Sequence, residues 1–134
     1  MKLITRDTDY AVRALLFFAR NREKILSVTE LVQALKIPRP FLRKILQILN
    51  RQGILKSYKG KGGGFELALH SQKIFLTDLI EIFQGSLNLN DCLFKKKICP
   101  NRKTCSLRHK IKSIERSVIS ELKAITIKSL LEEA

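Results

Sequence analysis

The stretch from Ser27 to Leu69, SVTELVQALKIPRPFLRKILQILNRQGILKSYKGKGGGFELAL, decides the fold. It opens with Ser27-Val28-Thr29-Glu30, a capping box in which serine and glutamate satisfy each other's free amides, and a short helix follows through Leu31, Val32 and Leu35. Lys36-Ile37-Pro38-Arg39-Pro40 then forces a break. Each proline pushes the residue before it out of the helical region, while Pro40 suits the first turn of a new helix. That next helix spans Arg39 to Gln52 and buries Leu42, Ile45, Leu46 and Leu49, leaving Arg39, Arg43, Lys44, Gln47, Asn50 and Arg51 outside the stripe. Two helices joined by a tight turn are a helix-turn-helix candidate; a plain helical hairpin with a solvated basic face is the alternative. After Gly53 the apolar period changes to two. Ile54 to Tyr58 and Phe65 to Leu69 read as a strand and its return, joined by Lys59-Gly60-Lys61-Gly62-Gly63-Gly64. A glycine loop that cradles nucleotide phosphates opens a helix, whereas this one leads into a strand, so a wing that touches a polyanion backbone fits better. Helix-turn-helix followed at once by a wing is a winged helix.

Working outward, Tyr10, Ala11, Ala14, Leu15, Phe17, Phe18 and Ala19 recur at helical spacing, so a first helix is expected from Thr8 to Arg20 with Asp7 or Thr8 as its cap. Phe75 to Gly85 reads as a further helix, capped by Thr77, stopped by Gly85 and packed on the first. Beyond the cysteines, Leu107, Ile111, Ile114, Val118, Leu122 and Ile125 recur at steps of four and three. Such a narrow seam is one that two helices share, although a helix lying along its own domain would show it too. Thr126 to Ala134 reads as a short helix that caps the assembly. The fold class expected is mainly α with a small β-hairpin wing: a winged helix-turn-helix domain over residues 1–85, a cysteine loop over 86–106, and a long dimerisation helix with its C-terminal cap over 107–134.

At 134 residues the chain suffices for one domain with an appendage. With 26 Lys+Arg against 12 Asp+Glu the net charge is +14, so the expected partner is a polyanion, nucleic acid before an anionic membrane surface. The longest apolar run, near Ala14 to Ala19, is far below the roughly 18 residues that span a bilayer, and no export signal is evident. A cytoplasmic protein with no membrane partner is expected. No nucleophile–base pair or paired carboxylates stand out, and the two histidines, His70 and His109, lie on different elements, which argues against an enzyme.

All three cysteines, Cys92, Cys99 and Cys105, fall in Asp91 to His109, with six and then five residues between successive sulfurs. An odd number without an export signal speaks for metal or redox chemistry rather than disulfides. Structural zinc shows close cysteine pairs and four protein ligands, whereas iron–sulfur clusters take thiolates at wider spacings. Lys95, Lys96, Lys97, Arg102 and Lys103 would favour thiolate and offset a cluster's negative charge. On spacing alone, three unrelated thiols in a solvated basic loop are as good a reading.

These motifs resemble the Rrf-type family of bacterial winged-helix transcription regulators, IscR/NsrR-like, over almost the whole chain. The likeness is most specific in Thr8-Asp9-Tyr10-Ala11-Val12-Arg13-Ala14-Leu15, in Ile37-Pro38-Arg39-Pro40-Phe41-Leu42-Arg43-Lys44-Ile45-Leu46, and in Lys59 to Leu67. The resemblance implies a homodimer on a near-palindromic double-stranded DNA operator, with affinity or site choice set by an iron–sulfur cluster on the three cysteines. Its DNA contacts would then come from Arg39, Pro40, Arg43, Lys44 and Gln47 and, on the wing, from Lys59, Gly60, Lys61 and Gly62. The family commonly carries arginine where this wing has Lys59. Some members place a histidine three residues after the last cysteine, where this chain has Arg108 and then His109. Others draw a carboxylate from the first helix of the other subunit, which matches Asp9. Asp9 is preferred over His109 as fourth ligand, and a 4Fe-4S cluster over a 2Fe-2S one. A cluster-free thiol redox sensor, a metal-storage module and an RNA-binding winged-helix protein are the rival readings.

Overall fold

The computed structural model describes residues 3–87 and 105–133. Helix α1 (Arg6–Arg20) is followed by α2 (Val28–Leu35), α3 (Arg39–Arg51), a hairpin of β1 (Leu55–Tyr58) and β2 (Gly64–Leu67), and a short 3₁₀ turn at Ser71–Lys73. Then come α4 (Leu76–Gln84), α5 (Ser106–Lys123) and α6 (Ile127–Glu133). The winged-helix expectation holds.

Local chemistry explains most boundaries. At the start of α2 the Ser27 hydroxyl accepts from the Glu30 amide at 3.1 Å and donates to the Glu30 carboxylate at 3.2 Å. Lys36 ends that helix in the left-handed conformation (φ 57°), and Pro40 sits in the first turn of α3. Leu42, Ile45, Leu46 and Leu49 are all completely buried, as the stripe predicted. Two caps differ from expectation. Thr5, not Asp7 or Thr8, caps α1, because the Thr8 hydroxyl is directed to Gln84 of α4 instead. Phe75, not Thr77, precedes α4, because its backbone pairs with Thr126 and the helix begins as soon as that bridge ends.

The hairpin pairs Leu55 with Leu67 and Tyr58 with Gly64, and the outer edge of β2 pairs Phe65 with Leu26 just before α2. A Cβ at Gly64 would lie 2.2 Å from the Leu26 carbonyl oxygen, so only glycine allows this close approach. The wing is thereby fastened to the entrance of the helix-turn-helix.

The core gathers Leu15 and Phe18 of α1 with Leu31, the α3 stripe, Leu55, Ile74 and Leu79. It also takes in Ile127 of α6, which is fully buried. Helix α6 packs on α1, and Thr126 and Ser129 cap its start reciprocally, each amide bonded to the other's hydroxyl at 2.9 and 3.0 Å. A second cluster joins Leu76 and Ile80 of α4 to Leu122 of α5. The α5 stripe therefore divides: Leu122 belongs to its own domain, while Ile114 and Leu107 are 54% and 68% exposed.

Candidate nucleic-acid interface and sensor site

With its apolar stripe turned inward, α3 presents Arg39, Pro40, Arg43, Lys44, Gln47 and Arg51 to solvent. Arg39, Arg43, Gln47 and Arg51 follow one another at four-residue steps and so line one side of the helix. Two of the cations are directed by neighbours. Arg39 donates to the Thr29 hydroxyl at 3.1 Å, which ties the start of α3 to α2. Lys44 Nζ lies 3.5 Å from the Asp7 carboxylate of α1. Beside them the Arg6 guanidinium stacks on the half-exposed ring of Phe41, 4.3 Å from its centroid.

Lys59, Gly60, Lys61 and Gly62 form the exposed tip of the wing, with Gly60 and Gly62 in left-handed conformations (φ 89° and 79°). Behind the tip the Tyr58 phenol donates to the Glu66 carboxylate across the hairpin. That bond, then desolvation and the carboxylate's charge, raise the phenol above its ordinary pKa. Helix α3, with Arg39, Arg43, Lys44 and Arg51, and the tip, with Lys59 and Lys61, thus each expose a set of cations.

The sensor residues are described in part. Cys92 and Cys99 lie outside the described residues, as do Lys95, Lys96, Lys97, Arg102 and Lys103. Cys105 is half-buried and caps α5, its sulfur accepting from the Arg108 amide at 3.4 Å. His109 is exposed one turn on, its own amide bonded to the Cys105 carbonyl at 3.2 Å. Asp9 faces solvent at the start of α1 and pairs with Arg13 at 3.0 Å. Among the described residues no group of three or more His, Cys, Asp or Glu side chains is close enough to hold a metal ion. His70 is a surface residue whose Nδ1 meets Arg22 at 3.0 Å. Sequence reasoning gave no role to Arg6, Phe41 or Gln84, since each acts through a partner distant in sequence.

The family described as Rrf2, iron-dependent transcriptional regulator, matches residues 4–133. This chain belongs to the Rrf2 family. It is therefore a DNA-binding transcription regulator, not an enzyme. An HTH-type transcriptional regulator of Aquifex aeolicus (strain VF5) is 36% identical over 132 residues, covering 96% of this chain and 92% of that one. Among solved structures, CymR, the global cysteine regulator of B. subtilis, superposes with a TM-score of 0.82 at 19% identity, covering 100% of this chain and 99% of that one. T. potens IscR gives a TM-score of 0.75 at 22% identity, covering 99% and 88%. These likenesses show that the winged helix with its long following helix is the Rrf2 fold. Among the described residues no helix is long and apolar enough to cross a membrane.

Proposed function

We propose that this Rrf2-family protein is a homodimeric, cytoplasmic regulator that binds a near-palindromic DNA operator and senses redox, nitric oxide or iron status through an iron–sulfur cluster held by Cys92, Cys99 and Cys105. The observation that carries the sensor half is Cys105 at the cap of α5, a sulfur joined directly to the helix that bears the exposed Leu107 and Ile114. The described part of the donor set fits such a cluster, because that sulfur is half-buried yet reachable and the first turn of α5 contains no acidic residue. Asp9 from the other subunit, released from Arg13, is the preferred fourth ligand; His109 is the alternative. When bound, an iron–sulfur cluster supplies a centre that responds to oxidants, nitric oxide and iron supply.

The residues of the chain do the reading. Arg39, Arg43 and Gln47 face the base edges of a major groove, where arginine suits guanine and glutamine suits adenine, and Pro40 starts the helix that carries them. Lys44, Lys59 and Lys61 bind phosphates, while Gly60 and Gly62 let the wing backbone approach the duplex. Leu107, Ile111 and Ile114 pair α5 with a second copy, so that two recognition helices meet successive half-sites. Because Cys105 caps that same helix, a change at the cysteines alters the start of the dimer seam and with it the spacing of the two readers.

Protein purified without oxygen tests the reading. Visible absorption with matched iron and sulfide, absent when all three cysteines are changed to alanine, is the expected result, together with different operator affinities for the two proteins. A colourless protein that cannot be reconstituted yet binds the operator would leave DNA recognition standing and favour the second reading, a cluster-free thiol sensor. The likeness to a global cysteine regulator favours that reading specifically. Tighter binding to structured RNA than to any duplex would overturn both.

A further inference from the structure

Gln84 is the last residue of α4 and stands immediately before Gly85, where the chain departs toward the cysteines. Its side-chain oxygen accepts from the Thr5 amide at 3.0 Å and from the Thr8 hydroxyl at 2.7 Å, and its amide nitrogen donates to the Leu3 carbonyl at 3.0 Å. The opposite orientation of the amide would set donor against donor and leave the Leu3 carbonyl facing an oxygen. Thr8 is fully buried, so its hydroxyl has no water to turn to. With that hydroxyl donating to Gln84, the Thr5 hydroxyl 3.1 Å away donates to Thr8 while accepting the Thr8 amide as the helix cap. One glutamine side chain thus fixes the first turn of α1, across 76 and more residues of sequence.

That turn bears the two side chains that touch the recognition helix: Arg6 on the Phe41 ring and Asp7 against Lys44. Arg6 and Lys44 are exposed and Asp7 is partly so, and surface contacts of this kind are weak individually. They can hold Phe41 and Lys44 in place only if the turn that bears them is itself held.

We propose that Gln84 is a positioning residue for DNA recognition, which through the first turn of α1 sets the placement of Phe41 and Lys44 and links the end of the helix before the cysteine segment to the reading head. The inference rests on α3 being the reading helix. It adds a route of control: anything that pulls on Gly85 acts on Gln84 first, then on α1, then on α3.

The test uses the full chain. A duplex selected by the wild type from a random pool and a scrambled duplex are compared at one salt concentration. The proteins are wild type, Gln84→Ala and Thr8→Val/Gln84→Met, the last of which removes both sides of the buried hydrogen bond and keeps the packing. Both variants are expected to lose about tenfold in preference for the selected duplex, within the range seen for coupled residues that touch no ligand. Because Lys44 contacts phosphate on any duplex, their scrambled-duplex affinity should fall as well, but by less than their affinity for the selected duplex. In the free proteins, amide hydrogen exchange in the first two turns of α3 should quicken in both. In an Arg6→Ala/Asp7→Asn background, Gln84→Ala should cost nothing further, which a merely structural role would not produce. Wild-type preference and exchange in both variants, or full additivity in that background, would overturn the proposal. If the wild type selects no duplex, the reading role of α3 fails, while the exchange experiment still decides whether Gln84 holds that helix.

Discussion

Helices α3 and α5 are both amphipathic, with narrow apolar stripes bordered by lysine and arginine, yet they spend those stripes differently. On α3 every stripe residue, Leu42, Ile45, Leu46 and Leu49, is fully buried within one chain. On α5 only Leu122 is buried; Ile111 and Val118 are partly exposed, and Ile114 and Leu107 are 54% and 68% exposed. A helix whose stripe is consumed inside its own domain has its charged face rigidly displayed for another molecule. A helix whose stripe is left half unmatched still has a partner to find.

The largest effect should come from removing this contrast at its buried end. Leu46→Ala is expected to destabilise the protein by about 2–5 kcal/mol in urea unfolding, whereas Ile114→Ala at high dilution should stay within about 0.5 kcal/mol. Equal losses would mean that the exposed half of α5 is packed in its own domain after all. Next in size is Leu107→Asp/Ile114→Asp. Burying two carboxylates in a helix seam should cost association about 2 kcal/mol or more and shift sedimentation from dimer to a folded monomer. A persistent dimer would move the interface elsewhere. On the wing, Lys59→Ala/Lys61→Ala should weaken binding to all duplexes and, with two lysines lost from each of two subunits, reduce the slope of log K against log salt by about 4. An unchanged slope would remove the wing tip from the interface. The smallest effect is expected from Tyr58→Phe, which loses the phenol–Glu66 bond. Because the folded phenol is raised above its ordinary pKa, the wild type keeps that contribution below the phenol range and loses it as pH rises through the raised value, where the two proteins should converge. A stability difference that persisted at higher pH would contradict this account.

The sequence made legible those features whose causes are local. Prolines at 38 and 40, the serine–glutamate cap and the change from helical to alternating period located α2, α3 and the wing to within a residue or two. The caps of α1 and α4 were misread because they are settled by distant partners: Gln84 takes the Thr8 hydroxyl, and Thr126 occupies the Phe75 backbone. The α5 stripe was legible as a stripe, but its division between Leu122 and Ile114 depends on where α4 lies. For the site, the exposed cations of α3 and the wing could be listed from periodicity. That Asp7 directs Lys44 and that Phe41 carries Arg6 are tertiary facts with no motif behind them.

The return of the C-terminal segment has a bearing on how the protein is made. The Leu76 amide bonds to the Ile125 carbonyl, the Ile127 amide to the Ile74 carbonyl, and the Ile127 side chain fills the same core as α3. A nascent chain on the ribosome, delivered a few residues per second, can form its hairpin and early helices while α6 is still in the exit tunnel, but it cannot close that core. The nascent polypeptide thus cannot complete the core around α3 until α6 has emerged, and a message cut short before Ile127 would yield an open core rather than a closed one.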